Sequence, residues 1–408
     1  MVEITVPVGP QHPALKEPVN FKVVADGETI VRLELDVSYN HRGIEKAAEQ
    51  RDFNKTIPLL ERVCGICSHS HGTNFAKGIE EIMGVSAPPR AQYIRTIVAE
   101  LERMHSHLLW LGVAAHEIGF NTLFMWTWKD REVVQDILEE LTGNRVNYGV
   151  NVIGGVRRDL SPSQVARTLT FLPQLEDRLR KYLEMVKRQE TLLLRFRGVG
   201  TMTRAQAISY GAVGPTARAS GVEYDVRQDD PYIAYGEIPW KVVTATEGDV
   251  YARTVVRIGE LVESLGMIRY CLEHLPAGPV TVDVPKKAPA GGEILSRYEA
   301  PRGELCHYIR TNGTDRVDRI DIRTPTLANW TSVAVTLVGQ NIADIPVIVA
   351  AIDPCLSCTS RMAVVDREGR AQPCLSCTSR MAVVDREARA QPSLSCTSRI
   401  SVVRGGEH

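Results

Sequence analysis

Two cysteine pairs bracket this chain, Cys64-Gly65-Ile66-Cys67 near its start and Cys355-Leu356-Ser357-Cys358 near its end, with 288 positions from Cys67 to Cys355. The two-residue gap in each pair lets both thiolates face one metal. Joining the pairs requires the last folded segment to come back to the first, so a four-thiolate site of this kind is assembled late. The chain holds nine cysteines and no basic-then-apolar opening segment. Together these argue for a reducing compartment, where such pairs serve metals or redox chemistry more often than disulfides. Cys271 falls in an apolar helical pattern and Cys306 in a strand-like one, and both are expected as small buried hydrophobes.

With 408 residues, 44% of them apolar and 24% charged, the chain is long enough for one large domain or two ordinary ones around a substantial core. A net charge of -1 gives no electrostatic case for nucleic acid or an anionic membrane surface. No apolar run is long enough to span a bilayer, so any membrane association is expected to go through a partner.

Residues 3–37 read as strands, with Phe21–Ala25 and Thr29–Val37 alternating around an Asp26-Gly27 turn. Residues 90–118 read as a long helix that starts after Pro88-Pro89 and puts Ile94, Ile97, Val98, Leu101, Met104 and Leu108 on one face. A second helix is expected over 173–197, with Leu175, Leu179, Leu183 and Val186 inward. A third is expected over about 249–275, with Val255, Ile258, Leu261, Val262, Leu265 and Leu272 inward. Residues 305–323 return to strand around an Asn312-Gly313 turn, and a last helical stretch from about 328 to 345 leads into the second cysteine pair. The class is α+β and helix-rich: a central long-helix bundle over about 90–275 with small antiparallel sheets. No Gly-x-Gly-x-x-Gly follows a strand, which argues against dinucleotide binding. The Met125-Trp126-Thr127-Trp128 run is expected as a packed aromatic patch.

The tail is a tandem repeat. Residues 355–373 read CLSCTSRMAVVDREGRAQP and 374–392 read CLSCTSRMAVVDREARAQP, while a third copy begins SLSCTSRISVV and diverges. Near-identity over so short a period speaks for recent duplication rather than for three structural units. Only the first copy follows Asp353-Pro354, and the third has Ser393 in place of its first cysteine, so Cys355 and Cys358 are the expected ligands rather than Cys374 and Cys377.

Four thiolates suit zinc, an iron–sulfur cluster or nickel–iron chemistry. On spacing alone a structural zinc site is a fair competitor. Three features speak against it: the pairs lie at opposite ends of the chain, an arginine stands near each (Arg62 and Arg361), and Asp-Pro precedes Cys355.

The flanking blocks carry a resemblance. Arg62-Val63-Cys64-Gly65-Ile66-Cys67-Ser68-His69-Ser70-His71 and Asp353-Pro354-Cys355-Leu356-Ser357-Cys358-Thr359-Ser360-Arg361 resemble the paired signatures of the large, catalytic subunit of [NiFe]-hydrogenases. Gly9-Pro10-Gln11-His12-Pro13, His41-Arg42-Gly43-Ile44-Glu45, the block from His105 to Gly112 and Gly154-Gly155-Val156 are similar to the membrane-bound, energy-converting branch, itself related to the 49-kDa subunit of respiratory complex I. The likeness spans most of residues 1–361 and implies one large-subunit domain there, with 362–408 as an extension.

The resemblance implies Cys64 and Cys355 as terminal ligands to nickel, and Cys67 and Cys358 as bridges from nickel to an iron carrying carbon monoxide and cyanide. It implies reversible cleavage of H2, with Cys355 as proton acceptor and Glu17 as the next carboxylate in the relay. Without it, Glu17 reads as a surface loop acid. Arg302 resembles the arginine held over the open metal position, anchored by Asp353 through a charge-assisted bond; a loop arginine and a turn residue are the plain alternatives. His69, His71, His105 and His107 are expected in supporting or proton-path roles or as hydrogen-bonded core residues, and Glu45 and His12 in water or proton channels.

The implied partners are an iron–sulfur small subunit, a ferredoxin-type electron carrier, membrane ion-translocating subunits and maturation factors. The site would then lie at the cytoplasmic face of the membrane. An endopeptidase that cuts at Arg361-Met362 is implied too. A relay subunit of a complex I-like assembly is the alternative, and relatives of that kind have usually lost the four cysteines.

Overall fold

A computed structural model describes residues 3–13, 15 and 17–359. It also describes the backbone of the short strand stretches 364–365, 371–372 and 382–385. The processing position Arg361-Met362 and the repeated cysteines Cys374 and Cys377 lie outside the described residues.

The N-terminal alternation forms an antiparallel meander of β1 (Glu3–Val8), β2 (Asn20–Asp26) and β3 (Thr29–Asp36). The turn falls at Gly27, whose φ of 60° is the left-handed value that glycine tolerates. Phe21 and Val23 of β2 and Leu33 and Leu35 of β3 form one buried face, which meets Trp330, Val333 and Leu337 in a small second core. Ala382–Asp385 pairs antiparallel with the outer edge of β3.

Five helices follow: α1 (Ile44–Glu49), α2 (Phe53–Glu61), α3 (Ser68–Met83), α4 (Pro89–Glu117) and α5 (Asn121–Thr142). As expected, α4 starts at Pro89, where a missing N–H costs nothing. It is buried on nearly every side, including Arg95, Glu100, Glu102 and Arg103, so it is the axis of the main core rather than an amphipathic surface helix.

The second predicted helix is longer than its pattern suggested. Ser161 and Gln164 form a reciprocal capping box, and α6 runs Pro162–Arg188 with Pro173 inside it. It stops at Gln189, and a short helix, Glu190–Phe196, resumes. The third, α7 (Val250–Glu273), is capped by the Asp249 carboxylate accepting from Ala252 N. Ile258, Leu261, Leu265 and Leu272 face inward, but Val262 is solvent-exposed at 39%.

A three-stranded antiparallel sheet follows: β4 (Ala290–Ala300), β5 (Gly303–Asn312) and β6 (Val317–Arg323). It confirms the 305–323 strand region and adds β4. The last expected helix is broken in two, α8 (Pro325–Leu337) and α9 (Ile345–Ala351), because Gly339 turns the chain at φ 89°. The chain closes with α10 (Leu356–Thr359). The aromatic run on α5 is not a packed patch: Met125 and Trp126 are exposed at 63% and 48%, and only Thr127 is fully buried.

Polar bonds lock α3 to α4. Arg95 grips both oxygens of Glu80 at 2.7 and 3.0 Å and also donates to the carbonyls of Val152 and Gly155. Removing one partner of such a buried pair strands the other charge. Arg95→Met is expected to cost about 3–5 kcal/mol of stability, read as a drop in the urea midpoint; an unchanged midpoint would contradict this role for the pair.

Candidate metal centre

The first cysteine pair sits where α2 ends and α3 begins. Cys64 lies just beyond Arg62, and Cys67 is the residue that starts α3. The Cys64 sulfur accepts from the backbone N–H of Ile66 and of Cys67, both at 3.3 Å. The second pair follows α9 through Asp353, whose φ of 56° is rare for a residue with a side chain and marks stored local strain. The two ends of the chain do meet. Cys355 Sγ lies 3.3 Å from Cys64 Sγ and 2.8 Å from Cys358 Sγ. The sulfurs of Cys64, Cys67 and Cys358 lie within 4.8 Å of one another, and all four residues are buried. Cys271 and Cys306 are buried well apart in sequence as free thiols, as expected.

The electrostatics describe what this group wants. Hydrogen bonds from the thiols of Cys355, Cys358 and Cys67 hold Cys64 well below an ordinary thiol. Cys67, Cys355 and Cys358 are pushed well above it, with burial and the neighbouring Cys64 charge opposing a second ionisation. Burial and mutual repulsion thus oppose ionising all four sulfurs at once. Four thiolates together require compensating metal cations, and a soft all-sulfur donor set fits nickel and iron as well as zinc.

A cavity of about 170 Å³ opens beside the sulfurs and is lined by Glu17, Cys64, Arg302, Trp330, Asp353 and Cys355 among others. It thereby gathers the accessory residues expected from the sequence. Arg302 donates from Nε to the Asp353 carbonyl at 2.7 Å and from Nη2 to Asp353 Oδ1 at 2.9 Å. Its Nη1 and the Asp353 Oδ2 are buried and find no partner among the described residues. The Glu17 carboxylate is not a free loop acid: it accepts from Leu356 N at 2.5 Å, from Ser357 N at 3.1 Å and from the Ser357 hydroxyl.

Backbone contact fixes Arg302. Gly214, at φ 64°, lies so close to the Arg302–Gly303 peptide that a Cβ there would meet Arg302 O at 2.4 Å. Asn329 of α8 holds the preceding residue, accepting from Val213 N at 2.9 Å and donating to Val213 O at 3.2 Å. On the other side Arg257 stacks over Trp110 at 4.1 Å, and Trp110 Nε1 donates to Ala350 O.

None of the four histidines joins the sulfur group. His69 Nε2 meets Arg95 O at 2.9 Å, and its Nδ1 meets Asn151. His71 pairs with His307 at 3.2 Å, and His107 with Glu260 at 2.8 Å. His105 is fully buried, and neither ring nitrogen has a partner among the described residues. Burial pushes His69 and His105 down to about 3 and His107 to about 4, so these three are neutral. Glu45 accepts from Ile322 N at the edge of β6, a structural bond, and His12 sits on an exposed loop.

Two residues escaped the sequence reading as individuals. Arg42 bonds both ligand segments at once, through Arg62 O, Val63 O and Ser357 O at 2.7, 2.8 and 2.9 Å. Arg62 itself turns back to Pro58 O, so the arginine that serves the first pair is Arg42. Glu102 of α4 caps α3, accepting from His69 N at 2.6 Å, Ser70 N at 3.1 Å and the Ser70 hydroxyl. Burial raises it to about 8.

Comparison with known proteins agrees with this geometry. The family "Respiratory-chain NADH dehydrogenase, 49 Kd subunit" matches residues 117–291 and 285–361, and "Nickel-dependent hydrogenase" matches residues 42–113. The chain is 41% identical over 362 residues to the carbon monoxide-induced hydrogenase of Rhodospirillum rubrum, covering 88% of this chain and 100% of that one. It is 42% identical over 383 residues to the membrane-bound hydrogenase subunit alpha of Pyrococcus furiosus, covering 90% and 89%. Among solved structures, a chain of the membrane-bound sulfane sulfur reductase, an archaeal respiratory membrane complex, superposes with a TM-score of 0.84 at 32% identity, covering 88% and 98%.

The Gly214 contact makes a simple test of how Arg302 is held. Gly214→Ala adds a Cβ in a left-handed conformation against backbone, which cannot yield as a side chain would. The variant is expected to lower the thermal midpoint by several degrees and to lose bound metal; wild-type values for both would show that the contact is slack.

Proposed function

The chain belongs to the family that unites nickel-dependent hydrogenase large subunits with the 49-kDa subunit of the respiratory chain, and on that premise we propose that it is the catalytic subunit of a membrane-bound, energy-converting [NiFe]-hydrogenase. The observation that carries this reading is the meeting of four buried cysteine sulfurs beside a cavity walled by Arg302, Asp353 and Glu17. A relay subunit without a metal has no use for four sulfurs in a dry interior.

Cys64, Cys67, Cys355 and Cys358 would together hold a nickel–iron group whose iron carries carbon monoxide and cyanide. When bound, this group supplies the two-electron chemistry of H2 ⇌ 2H⁺ + 2e⁻. The chain's own residues handle charge and protons. Cys355, which lines the cavity, is the base that would hold the first proton. Glu17 would take it next; its carboxylate, bonded to the two residues that follow Cys355, supports this reading. Arg302, locked onto Asp353, lines the cavity and would act there as a fixed positive charge. The apolar wall of Trp330, Val349 and Leu109 keeps bulk water from the sulfurs.

Electrons would leave through iron–sulfur clusters in a partner small subunit towards a ferredoxin-type carrier, because the described residues offer only Cys271 and Cys306 beyond the four ligands. No helix among the described residues is long and apolar enough to cross a membrane, which supports a peripheral subunit held by ion-translocating membrane partners, at the cytoplasmic face. Maturation would end with a cut after Arg361 that removes 362–408.

Metal analysis with infrared spectroscopy of the purified complex tests the reading: nickel and iron in equal amounts, with carbon monoxide and cyanide bands, are expected, and zinc alone overturns it. Glu17→Gln is expected to lower turnover by a factor of about 10² or more while metal content and infrared bands stay as in the wild type; unchanged turnover removes Glu17 from the relay. Intact mass of the active protein is expected to stop at Arg361, and a full-length active chain refutes the cut.

A further inference from the structure

Trp110 of α4 is 1% exposed, and a buried tryptophan ordinarily needs no account beyond packing. Its contacts ask for more. The residue lines the cavity beside the sulfurs, together with Ala350, Asp353 and Arg302. Its Nε1 reaches from α4 to the last turn of α9 and donates to Ala350 O at 2.7 Å. That carbonyl is already served by its own chain, through Ile352 N and through Asp353 N, the latter at 2.9 Å. The indole N–H needs an acceptor once buried, and the one it has is the carbonyl on which the next turn is built.

That turn is the strained one. Asp353 sits at φ 56°, and a residue with a Cβ stays there only where its surroundings hold it. The holds can be followed along the segment. Ala350 O anchors the Asp353 N–H, Arg302 bonds the Asp353 carbonyl and Oδ1, and the Thr326 hydroxyl accepts from Cys355 N at 3.2 Å. Of the groups in this series of bonds, Trp110 is the one that comes from α4, the axis of the main core. Its ring is itself held on one face. The Arg257 guanidinium of α7 lies over it at 4.1 Å, close enough for a cation to be drawn to the indole, and Arg257 Nη1 donates to Arg253 O at 3.2 Å. Burial raises the Asp353 carboxyl, and Arg302 followed by Arg257 opposes that rise, so the cation over the ring also acts on the turn.

We propose that Trp110 is a positioning residue for the reaction at the sulfur group: through Ala350 it holds the turn that sets Asp353 against Arg302, and Arg257 holds Trp110. This rests on the hydrogenase reading, in which Arg302 acts as a fixed positive charge. A guanidinium tied to a loosely held carboxylate samples several positions, and a displacement of about 1 Å can cost on the order of a hundredfold in rate. Tryptophan suits the task because its N–H stands at the edge of a broad flat ring. The face takes the arginine while the edge takes the carbonyl. Phenylalanine offers the face alone.

The test compares turnover per bound nickel in the purified complex for the wild type, Trp110→Phe, Asp353→Asn and the double variant. Trp110→Phe alone is expected to lower turnover about tenfold. In the Asp353→Asn background, where the ion pair is already gone, the same change is expected to lower it less than about twofold. A tryptophan that only packs lowers turnover by the same factor in both backgrounds, and that result overturns the proposal. Arg257→Met takes the cation from the ring and stands in if Trp110→Phe takes up no nickel. It is expected to lose turnover in the same way, with Arg257→Lys recovering most of it; equal losses in the Met and Lys variants overturn the proposal. The structure of the Trp110→Phe complex decides the point without turnover. Arg302 is expected to lose one of its two bonds to Asp353, and an unchanged pair overturns the proposal. A wild type with neither nickel nor turnover counts against the hydrogenase reading, while the hold of Trp110 on the turn is still decided by that structure.

Discussion

Gathering sulfur and carboxylate in a dry interior is possible only where opposite charge stands close by, and the fold is arranged around that requirement. Removing an ion from water without a partner costs several kcal/mol or more. Arg42 ties the two ligand segments together, Arg302 neutralises Asp353, and Arg257 lies over Trp110 beside them. The compensation continues through the bundle. Arg218 meets Glu260, Glu299 and Asp225, while Arg227 meets Asp225 and Glu100, all within the buried interior. A helix as polar as α4 can be buried on nearly every side because its charged groups are answered, Arg95 by Glu80, Glu100 by Arg227 and by Arg103 within the helix, and Glu102 by the backbone of α3.

That arrangement explains what was legible in the sequence. Helices α4 and α7 showed plainly, since their apolar period is long and their starts carry a proline and an aspartate cap. The start of α6 was missed because Pro173 looks like a first residue, whereas the true signal is the capping box that opens at Ser161, twelve positions earlier. Strand β4 did not alternate visibly: Ser296 and Glu299 are both buried, and their partners Asn74 and Arg218 are distant in sequence. Helix α3 hid for the same reason. Its Ser-His-Ser-His opening reads as a loop, yet every one of those residues is buried and bonded from α4, β5 or the 151–156 hairpin, apart from the Ser68 hydroxyl.

The site was more legible than the fold. The four cysteines, Glu17, Arg302 and Asp353 were all picked out in advance, and all converge. The cysteines stood out through their paired spacing, which a linear reading can see, whereas Glu17, Arg302 and Asp353 were picked out only through the family resemblance. Arg42 and Glu102 were not singled out, because their work is to bond backbone atoms on segments far along the chain, and no local pattern records that. The sulfane sulfur reductase likeness at 32% identity adds a further lesson. One scaffold hosts different reductions, so the chemistry rests on which side chains reach the cavity rather than on the fold that surrounds it.

The contact between Gly214 and the Arg302–Gly303 peptide has a consequence for how such a centre varies. Arg302 is set from both ends, its backbone by the Gly214 contact and its guanidinium by Asp353, and neither hold involves the apolar side chains of the cavity wall. Replacing Trp330, Val349 or Leu109 would reshape the cavity beside the sulfurs, and the positive charge would stay where it is. Access and chemistry can therefore drift independently in this scaffold, with two glycines as the pivot that keeps one constant while the other changes.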